Sequence, residues 1–538
     1  MQTFDFIVVG SGSAGSVVAE RLSASGRHTV LVLEAGGSDR RFFVQMPLGY
    51  GKTFHDPAVN WNYSTEPDPG LLGASDHWPR GKVMGGSSSI NAMVWIRGAA
   101  EDFDAWRDAG NVGWGWSDVL PAFKAIEENQ AGATDLRGRG GPVHVTDNSK
   151  NIHPLTRRFL AAAQQAGMVL NQDFNGSSQE GAGVYQITTR DGRRMSAARA
   201  FLRPAMKRAN VRVETHALAT KILFEGSRAV GIEYLQNGQK KSARAGSEVI
   251  LCGGSVNSPQ LLQLSGVGPA GLLTGLGIPI VHASDQVGRN LQDHQGINYT
   301  WKATVPTLNQ ILRPWWGKLV VGAQYLLLRS GPLSMSMNQG GGFFRTDAAR
   351  TRPNMQLYFQ VFSTVLPKRG ERPILSPDPF PGFSIGLSNC RPSSRGEIMI
   401  QSADPTVYPR ITVNAFSTES DVAEMLDAVK YLRKLAAMPP IADIISEEVL
   451  PGASITSDAD LIQDFRKRSG TVYHPVSTCR MGSDPATSVV GPRLRVHGLS
   501  GLRVIDASIF PDNITGNTNA TSIMTGWKGA GMVLEDTQ

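Results

Sequence analysis

A glycine-rich turn lies between a predicted strand and a predicted helix at the start of the chain. The motif Gly10-Ser11-Gly12-Ser13-Ala14-Gly15 follows the β-prone residues 4–9, precedes a helical pattern at 16–25, and leads to a second β-prone run at 29–33. This order predicts a βαβ unit that begins a doubly wound parallel sheet. Glycines at these positions permit a tight turn and the close approach of a pyrophosphate to the helix N-terminus.

An acidic residue closes the second predicted strand. Glu34 directly follows the apolar run and precedes Ala35. A carboxylate there can accept hydrogen bonds from a ribose diol, and its charge disfavours a 2′-phosphate. Together with the glycine turn, Glu34 predicts a dinucleotide site, but these residues alone do not distinguish FAD from NAD.

Length and composition place the chain among ordinary globular enzymes. Its 538 residues are 41% hydrophobic and 18% charged, which suits a core divided between two or three domains. The formal net charge is +7, yet no nucleic-acid-binding motif accompanies it, so no nucleic-acid partner is expected. The three cysteines are far apart and form no metal motif, so neither a metal site nor a disulfide framework is predicted.

The same features predict a location. The first residues lead almost directly into a strand, without a signal-like segment, and no apolar run is long enough to span a membrane. We therefore expect a cytoplasmic protein, with peripheral contact at the inner face of the membrane as an open alternative. The oligomeric state is not predicted.

The middle of the chain has a different pattern. Residues 36–150 are rich in Gly, Pro and Trp and predict long loops, whereas residues 355–362, 382–388 and 396–402 are strand-like and precede a helical pattern at about 418–437. The predicted class is α/β. A discontinuous Rossmann-like cofactor domain is expected to comprise residues 1–300 and 466–538, and an α+β substrate domain with an antiparallel sheet to comprise residues 301–465.

Two candidate catalytic residues lie near the end of the chain. His474 occurs in Tyr-His-Pro-Val-Ser-Thr-Cys-Arg-Met-Gly, and Asn517 occurs in Ile-Thr-Gly-Asn-Thr-Asn-Ala-Thr. An imidazole titrates close to neutral pH and suits proton abstraction, whereas an amide can donate to a developing alkoxide. Considered alone, each residue has a structural alternative, as a hydrogen-bonded loop histidine or a turn residue.

Further motifs connect these ends. Pro79-Arg80-Gly81-Lys82-Val83-Met84-Gly85-Gly86-Ser87-Ser88-Ser89-Ile90-Asn91, Gly-Ser-Val-Asn-Ser-Pro-Gln-Leu-Leu-Gln-Leu-Ser-Gly-Val-Gly from residue 254, and Val-Gly-Arg-Asn-Leu-Gln-Asp-His from residue 287 follow in order. With the glycine turn and the C-terminal pair, they resemble the glucose–methanol–choline (GMC) oxidoreductases along the whole chain. The likeness is greatest to the bacterial alcohol and choline dehydrogenase branch.

The resemblance implies FAD as the cofactor and assigns roles to individual residues. His474 matches the catalytic base, and Asn517 matches the second His/Asn position opposite the flavin. Ile90 occupies the place of a flavin-linking histidine in some choline oxidases, so non-covalent FAD is expected. The implied cofactor contacts are Gly10, Gly12, Ser13, Ala14, Gly15, Glu34, Ala35, Val83, Gly86, Asn91, Ala92, Met93, Val94, Ala219, Asp506, Ala507, Asn517 and Asn519.

The substrate pocket is expected to contain Gln339, His474 and Asn517. Choline-type enzymes have a glutamate at the position of Gln339, and an amide cannot neutralise a quaternary ammonium, so an uncharged alcohol is favoured. Ser477 replaces a common glycine and is expected to crowd or polarise the oxygen-facing side of the site. Hydride transfer to flavin N5 with a quinone-type acceptor is the predicted reaction; O2 reduction to H2O2 is the alternative acceptor chemistry.

Two segments leave other interpretations open. Residues 311–329 are interpreted as a buried helix pair, in preference to an apolar lid or a patch that docks on a membrane. Cys390-Arg391-Pro392 together with Arg410 resembles the photodecarboxylase branch of the same family, which keeps a lyase or photodecarboxylase as an alternative from another class.

Overall fold

The computed structural model describes residues 1–364 and 377–537, and within them two seven-stranded sheets organise the chain. In the first sheet, five strands run parallel, and the longest of them also begins an antiparallel meander at the other side. The strand order is Val211–Glu214, Val30–Leu33, Gln2–Val9, Gln239–Leu251, Arg228–Gln236 and Ala217–Glu225, with Leu502–Val504 paired to Gln239–Leu251.

The parallel part of this sheet is buried on both faces. Every residue of Val30–Leu33 is buried, as expected for a parallel strand covered by helices. Helix Ser13–Ser23 packs against the last helix, Asn519–Asp536, so closely that a Cβ on Gly526 would lie 2.7 Å from the carbonyl oxygen of Ala14. The end of the chain therefore completes the domain that its beginning starts.

The second sheet is antiparallel throughout. Its strand order is Ile445–Leu450, Gln295–Ala303, Gly382–Asn389, Met355–Gln360, Asn338–Phe344 and Gly181–Val184, with Gly470–Thr471 paired to Gln295–Ala303. The predicted α/β class, with a Rossmann-like domain and an antiparallel substrate sheet, is confirmed. The sheets do not follow the boundaries predicted at 300 and 465, because residues 181–184, 295–300 and 470–471 also contribute to the second sheet.

Helices surround both sheets. The longer ones are Ser13–Ser23, Ala100–Asp108, Trp116–Ile126, Pro154–Gln165, Gly254–Leu264, Trp315–Leu328, Glu419–Ala436, Asp458–Arg468 and Asn519–Asp536. The prediction that residues 36–150 lack regular structure was wrong for the helices Ala100–Asp108 and Trp116–Ile126. Their buried Phe103, Trp106 and Phe123 pack into the first core, and this aromatic spacing was the signal that was missed.

Short elements connect these parts. The brief helices are Phe42–Gln45, Pro47–Gly49, Tyr50–Thr53, Pro69–Leu71, Gly86–Ser89, Ala198–Leu202, Arg203–Ala205, Ala270–Gly275, Asn309–Leu312, Pro332–Ser334, Pro439–Ala442 and Ala507–Ile509. The remaining strands form the pairs Tyr63–Ser64 with His77–Trp78, Glu127–Asn129 with Val143–Val145, Thr189–Arg190 with Arg193–Arg194, Val267–Gly268 with His282–Ala283, and Glu397–Met399 with Arg410–Thr412.

Helix Trp315–Leu328 contradicts the buried helix pair predicted for this segment. Trp315 is 73% exposed and Leu327 is 81% exposed, although Val321 and Tyr325 face inward. The apolar residues that suggested burial lie largely on the outward side. Across residues 1–364 and 377–537, none of the helices has the length and apolar character needed to traverse a bilayer.

Candidate active site

One cavity of about 580 Å³ lies between the two sheets and takes residues from both ends of the chain. Most of the predicted cofactor residues line it, and so do His474 and Asn517. Those that line it are Gly10, Gly12, Ser13, Ala14, Glu34, Ala35, Gly86, Asn91, Ala92, Met93, Val94, Ala219, Asp506, Ala507, Asn517 and Asn519. Among the described residues, Gly15, Val83 and Gln339 were predicted to contact ligand but lie outside this lining.

The glycine turn forms a cradle that side chains would fill. A Cβ on Gly10 would lie 2.4 Å from the carbonyl oxygen of Cys252, and one on Gly86 would lie 2.7 Å from Cα of Gly12. Gly10 also has a φ of +99°, which glycine adopts without strain. Within the described chain, no side chain caps helix Ser13–Ser23, so its first N–H groups face the cavity and suit a pyrophosphate.

Glu34 shapes this turn from inside the protein. Its carboxylate accepts hydrogen bonds from the Ser11 N–H at 3.1 Å, from the Ser11 hydroxyl at 2.6 Å and from the Gly36 N–H at 2.8 Å. Burial raises the pKa of Glu34, while these donors oppose that rise. A carboxylate has about four acceptor positions, so the group retains capacity for a ribose hydroxyl.

Gly15 and Val83 support the cavity wall from behind. A Cβ on Gly15 would lie 2.0 Å from the carbonyl oxygen of Gly10, so this glycine allows the helix to pack on the strand. Val83 is buried with Val44 and Ile90 in a small apolar cluster. Gly15 and Val83 both support the cavity wall, and their direct contact with a cofactor stays a prediction.

Arg194 holds the loop that would lie along a flavin, and the sequence interpretation missed it. The guanidinium donates to the main-chain oxygen of Asn91 at 2.6 Å and to its side-chain oxygen at 2.8 Å. Burial lowers the pKa of Arg194 to about 9. The loop continues through Met93, whose φ of +65° is in the left-handed region. No local motif marks Arg194, because its partners are about one hundred residues away.

The C-terminal cofactor residues are also fixed by hydrogen bonds. Asp506 accepts from the Gly254 N–H at 2.8 Å and from the Ser258 hydroxyl at 2.6 Å, and burial raises its pKa. Asn519 accepts from the Ser13 hydroxyl at 2.8 Å, which joins the last helix to the glycine turn. These bonds tie residues from three separate parts of the sequence to one wall of the cavity.

His474 forms a hydrogen-bonded pair with His294. The two Nδ1 atoms are 3.0 Å apart, and Nε2 of His294 is 2.7 Å from the carbonyl oxygen of Cys390. Burial lowers the pKa of His294 to about 4, so its ring is neutral and carries one N–H. The carbonyl oxygen of Cys390 can only accept, so the single N–H of His294 lies at its Nε2. Nδ1 of His294 is then an acceptor, and His474 donates to it from its own Nδ1. His474 Nε2 is left with a lone pair.

Asn517 faces this lone pair. Its Nδ2 lies 3.1 Å from Nε2 of His474, and its Oδ1 accepts from Nε2 of Gln356 at 3.2 Å. The Tyr358 hydroxyl donates to Oε1 of Gln356 at 2.7 Å, which orients that amide in turn. The predicted base and the predicted donor are thus brought together, and Gln356 and Tyr358 are positioning residues that the sequence did not reveal.

Asp293 supports the main chain beside His474. Its carboxylate accepts from the His474 N–H at 2.7 Å and from the Thr471 hydroxyl. Burial raises the pKa of Asp293 to about 7. Burial, followed by His294 and Arg80, lowers the pKa of His474 well below its ordinary value. The imidazole is consequently a neutral base at neutral pH.

The structure corrects two expectations about the substrate side. The side-chain oxygen of Gln339 accepts from the His153 N–H at 2.8 Å and from the Thr156 hydroxyl at 3.2 Å, so this carboxamide points to helix Pro154–Gln165 and away from the cavity. Its neighbour Asn338 lines the cavity instead. Ser477 is buried with a φ of +75° and, among the described residues, is not one that lines the cavity, so it does not crowd the site.

A dinucleotide cradle that opens onto a neutral histidine and an oriented amide donor defines the class of protein as an oxidoreductase. The chain belongs to the GMC oxidoreductase family, whose N-terminal and C-terminal models match residues 4–296 and 392–526. This is a family of FAD-binding flavoenzymes. The resemblance noted from the motifs is therefore confirmed.

Two relatives illustrate the similarity. The chain is 41% identical over 535 residues to an alcohol dehydrogenase (acceptor) from Pseudomonas putida, covering 99% of this chain and 96% of the relative. It is also 41% identical over 539 residues to an oxygen-dependent choline dehydrogenase from Photobacterium profundum, covering 99% and 94%.

Solved structures share the fold. A pyridoxine 4-oxidase from Mesorbium loti superimposes with a TM-score of 0.88 at 29% identity, covering 98% of each chain. A formate oxidase superimposes with a TM-score of 0.91 at 24% identity, covering 99% of this chain and 98% of the other; at that identity the likeness supports the fold alone.

Proposed function

We propose that this protein is an FAD-dependent dehydrogenase that oxidises a primary, uncharged alcohol to its aldehyde and passes the electrons to a quinone-type acceptor. One observation carries the proposal: Nε2 of His474 and Nδ2 of Asn517 converge at 3.1 Å in the same cavity as the glycine cradle. A lone pair and an N–H donor at one point are what an alcohol oxygen requires as it loses its proton.

The residues of this chain act on the alcohol oxygen. The substrate hydroxyl would enter between His474 and Asn517 and replace their mutual hydrogen bond. His474 Nε2 takes the hydroxyl proton, while Asn517 Nδ2 donates to the oxygen as it becomes alkoxide-like. The charge of the resulting imidazolium is shared with His294 through the Nδ1–Nδ1 bond. Bound FAD would supply the hydride acceptor, flavin N5.

The cavity fits FAD from the adenosine end to the flavin end. Ala219 and Glu34 would meet the adenosine, the uncapped helix Ser13–Ser23 the pyrophosphate, and the loop from Asn91 to Val94 the flavin. Ile90 lines the same cavity with an apolar side chain that cannot form a bond to the flavin, which supports non-covalent binding.

Charge favours an uncharged substrate, although not through Gln339 as predicted. Glu34, Asp76 and Asp506 line the cavity but already accept hydrogen bonds from main-chain N–H groups, and Asp76 accepts from the Thr471 N–H at 2.9 Å. Arg80 and Arg468 also line it and would repel a cation. The cavity also has apolar and aromatic walls, which are formed by Met93, Ile297, Met337, Tyr358 and Leu387.

Two relatives support the choice of alcohols and leave the acceptor to experiment. The Pseudomonas putida relative is named an alcohol dehydrogenase (acceptor), whereas the solved pyridoxine 4-oxidase is named as an oxidase. Oxygen reduction to H2O2 is therefore the second candidate. Rapid, stoichiometric peroxide formation in air would reject the dehydrogenase assignment.

The lyase or photodecarboxylase alternative receives no support from the cavity. Cys390 and Arg391 are not among the described residues that line it, and Arg391 instead donates to the Thr515 hydroxyl at 2.6 Å. Under that alternative, no alcohol would bleach the flavin anaerobically.

The deciding experiment is an anaerobic titration of the flavin absorbance with neutral alcohols and with choline. Bleaching by neutral alcohols supports the proposal. His474→Ala should slow bleaching by about 10²- to 10⁴-fold, the usual effect of removing a general base. Asn517→Ala should slow it by about 10²- to 10³-fold. His497→Ala, at a half-buried histidine outside the cavity lining, serves as the control.

A further inference from the structure

Helix Trp315–Leu328 presents an apolar stripe to the outside. Gly317, Val321 and Tyr325 face the protein, whereas the other apolar side chains repeat at helical spacing on the opposite side. The exposed ones are Trp315, Trp316, Leu319, Val320, Leu326, Leu327 and Leu328. A helix on the surface of a soluble domain ordinarily presents polar residues to solvent. This helix presents apolar residues to solvent instead, which is typical of an interaction site.

The stripe continues onto a neighbouring helix. Phe42 and Phe43, at the start of Phe42–Gln45, are 50% and 46% exposed. The Phe42 ring is 6.3 Å from the ring of Tyr325, on the inner side of helix Trp315–Leu328. We call the exposed side chains of Trp315–Leu328 together with Phe42 and Phe43 the apolar face.

Basic residues accompany the apolar face. Residues 303–346 contain no Asp or Glu. Asp39, just before Phe42, is buried in an ion pair with Arg203 at 2.7 Å, so its charge is already compensated. Arg329 lies over the Tyr325 ring at 4.9 Å, and Arg193 and Arg199 act electrostatically on the same tyrosine. The remaining exposed cations of these segments are Arg40, Arg41, Arg190, Arg313, Lys318 and Arg345, with Asp191 as an acidic neighbour and Arg345 paired with Glu180.

We propose that the apolar face docks on the surface of an anionic lipid bilayer. A helix of 14 residues is about 21 Å long, which is shorter than the hydrocarbon core, so it would lie in the interface and not cross it. Tryptophans at one end and basic residues around an apolar side are the features of interfacial helices.

Charge favours a bilayer over a second copy of this chain as the occupant. Two copies joined through the apolar face would bring like-charged rims together, including Arg193, Lys318 and Arg329. Such a juxtaposition is unfavourable, whereas phospholipid head groups of opposite charge would neutralise the same rim.

The apolar face is continuous with the wall of the active-site cavity. Phe42 and Phe43 belong to the face, and Tyr50 and Phe54, in the next turns of the chain, line the cavity. The Tyr50 hydroxyl accepts from the Met337 N–H at 3.3 Å, which joins this segment to the substrate sheet. Docking would therefore bring the cavity toward the membrane, where a lipid-soluble acceptor resides. This last step alone rests on the proposed function.

The test is flotation of the purified FAD-loaded protein with two kinds of vesicle, one of phosphatidylcholine and one of equal parts phosphatidylcholine and phosphatidylglycerol. We expect binding to the anionic vesicles and its loss at high salt. The double variant Leu319→Ser and Leu327→Ser should bind at least about tenfold more weakly. Arg193→Gln and Lys318→Gln should each weaken binding about fivefold. Val112→Ser and Leu170→Ser, at exposed apolar residues elsewhere, form the matched control.

Three outcomes would overturn the proposal. These are no flotation of the wild-type protein, equal flotation with both vesicles, and equal flotation of the Leu319/Leu327 double variant. A concentration-dependent dimer that the same double variant dissociates would assign the face to a second copy instead. Vesicle binding is measured without turnover, and turnover with a water-soluble dye acceptor is measured without vesicles, so a failure of docking is distinguishable from a failure of the proposed function.

Discussion

Replacing His294 with leucine would remove the acceptor that faces Nδ1 of His474. In the native protein, the carbonyl oxygen of Cys390 determines which His294 nitrogen carries the proton, and His294 thereby determines the tautomer of His474. In His294→Leu, the Nδ1–H of His474 would be buried without that partner. Loss of this partner weakens the preference for the Nδ1–H tautomer, and a proton on Nε2 prevents proton abstraction from the substrate.

The magnitude follows from the lost hydrogen bond. Leaving a buried donor unpaired costs about 1–3 kcal/mol, which corresponds to a population shift of about 5- to 150-fold toward the unproductive tautomer. We expect the anaerobic rate of flavin reduction to fall by up to this factor, since Asn517 Nδ2 opposes a proton on Nε2 of His474, while the FAD content is retained. A modest fall in the free energy of unfolding should accompany it.

The assay is stopped-flow reduction with a saturating alcohol across a range of pH. The matched control is His144→Leu, whose Nδ1 is 2.7 Å from the Thr189 carbonyl oxygen, outside the cavity lining. If His294 had a purely structural role, His294→Leu and His144→Leu would both be less stable, and the pH profile of the flavin-reduction rate would not change. Wild-type reduction rates in fully loaded His294→Leu would refute the tautomer argument.

Three further predictions concern neighbouring residues. The pKa of Asp293 rises on folding to about 7, from an ordinary value of about 3.9, so the free energy of unfolding should fall as pH rises between those values. Denaturant titrations should show that Asp293→Asn removes this pH dependence. An unchanged pH dependence in the variant would contradict the raised pKa of Asp293. Ser477→Gly should raise the free energy of unfolding by about 1 kcal/mol, because it relieves the strain of a left-handed backbone and removes a buried hydroxyl without a partner among the described residues. A lower denaturation midpoint for the variant would contradict this prediction. Gln339→Glu should change the ratio of kcat/KM for choline to that for a neutral alcohol by less than about twofold, since this side chain points away from the cavity. A tenfold gain in that ratio, about 1.4 kcal/mol, would instead support a substrate contact at this position.

The cofactor cradle was predictable because its physics is local. Gly10, Gly12 and Glu34 are required by one βαβ turn, and their spacing along the chain already implies their proximity in space. His474 and Asn517 were recognised as candidates by their loops. Their mutual distance, however, depends on a sheet and a helix that are far apart in the sequence.

The errors arose where an element can present either of two faces. Gln339 and Asn338 are adjacent on one strand, and a register irregularity occurs between Asn338 and Gly340, so alternation alone does not tell which side chain enters the cavity. Periodicity likewise identified the apolar side of Trp315–Leu328 but not what covers it. Asp293 and His294 lay in a quoted motif, yet their contacts with His474 span about 180 residues of sequence.

The parallel strand Leu502–Val504 has a consequence for biosynthesis. It pairs with Gln239–Leu251, and the helix that follows it, Asn519–Asp536, covers helix Ser13–Ser23. A ribosome must therefore have synthesised residues 502–536 before the first domain can close its core, and until then the apolar side of helix Ser13–Ser23 stays uncovered. Cofactor uptake would follow synthesis of this segment, so a product truncated before it would lack both a closed core and a flavin, and it would be a ready target for chaperones and proteases.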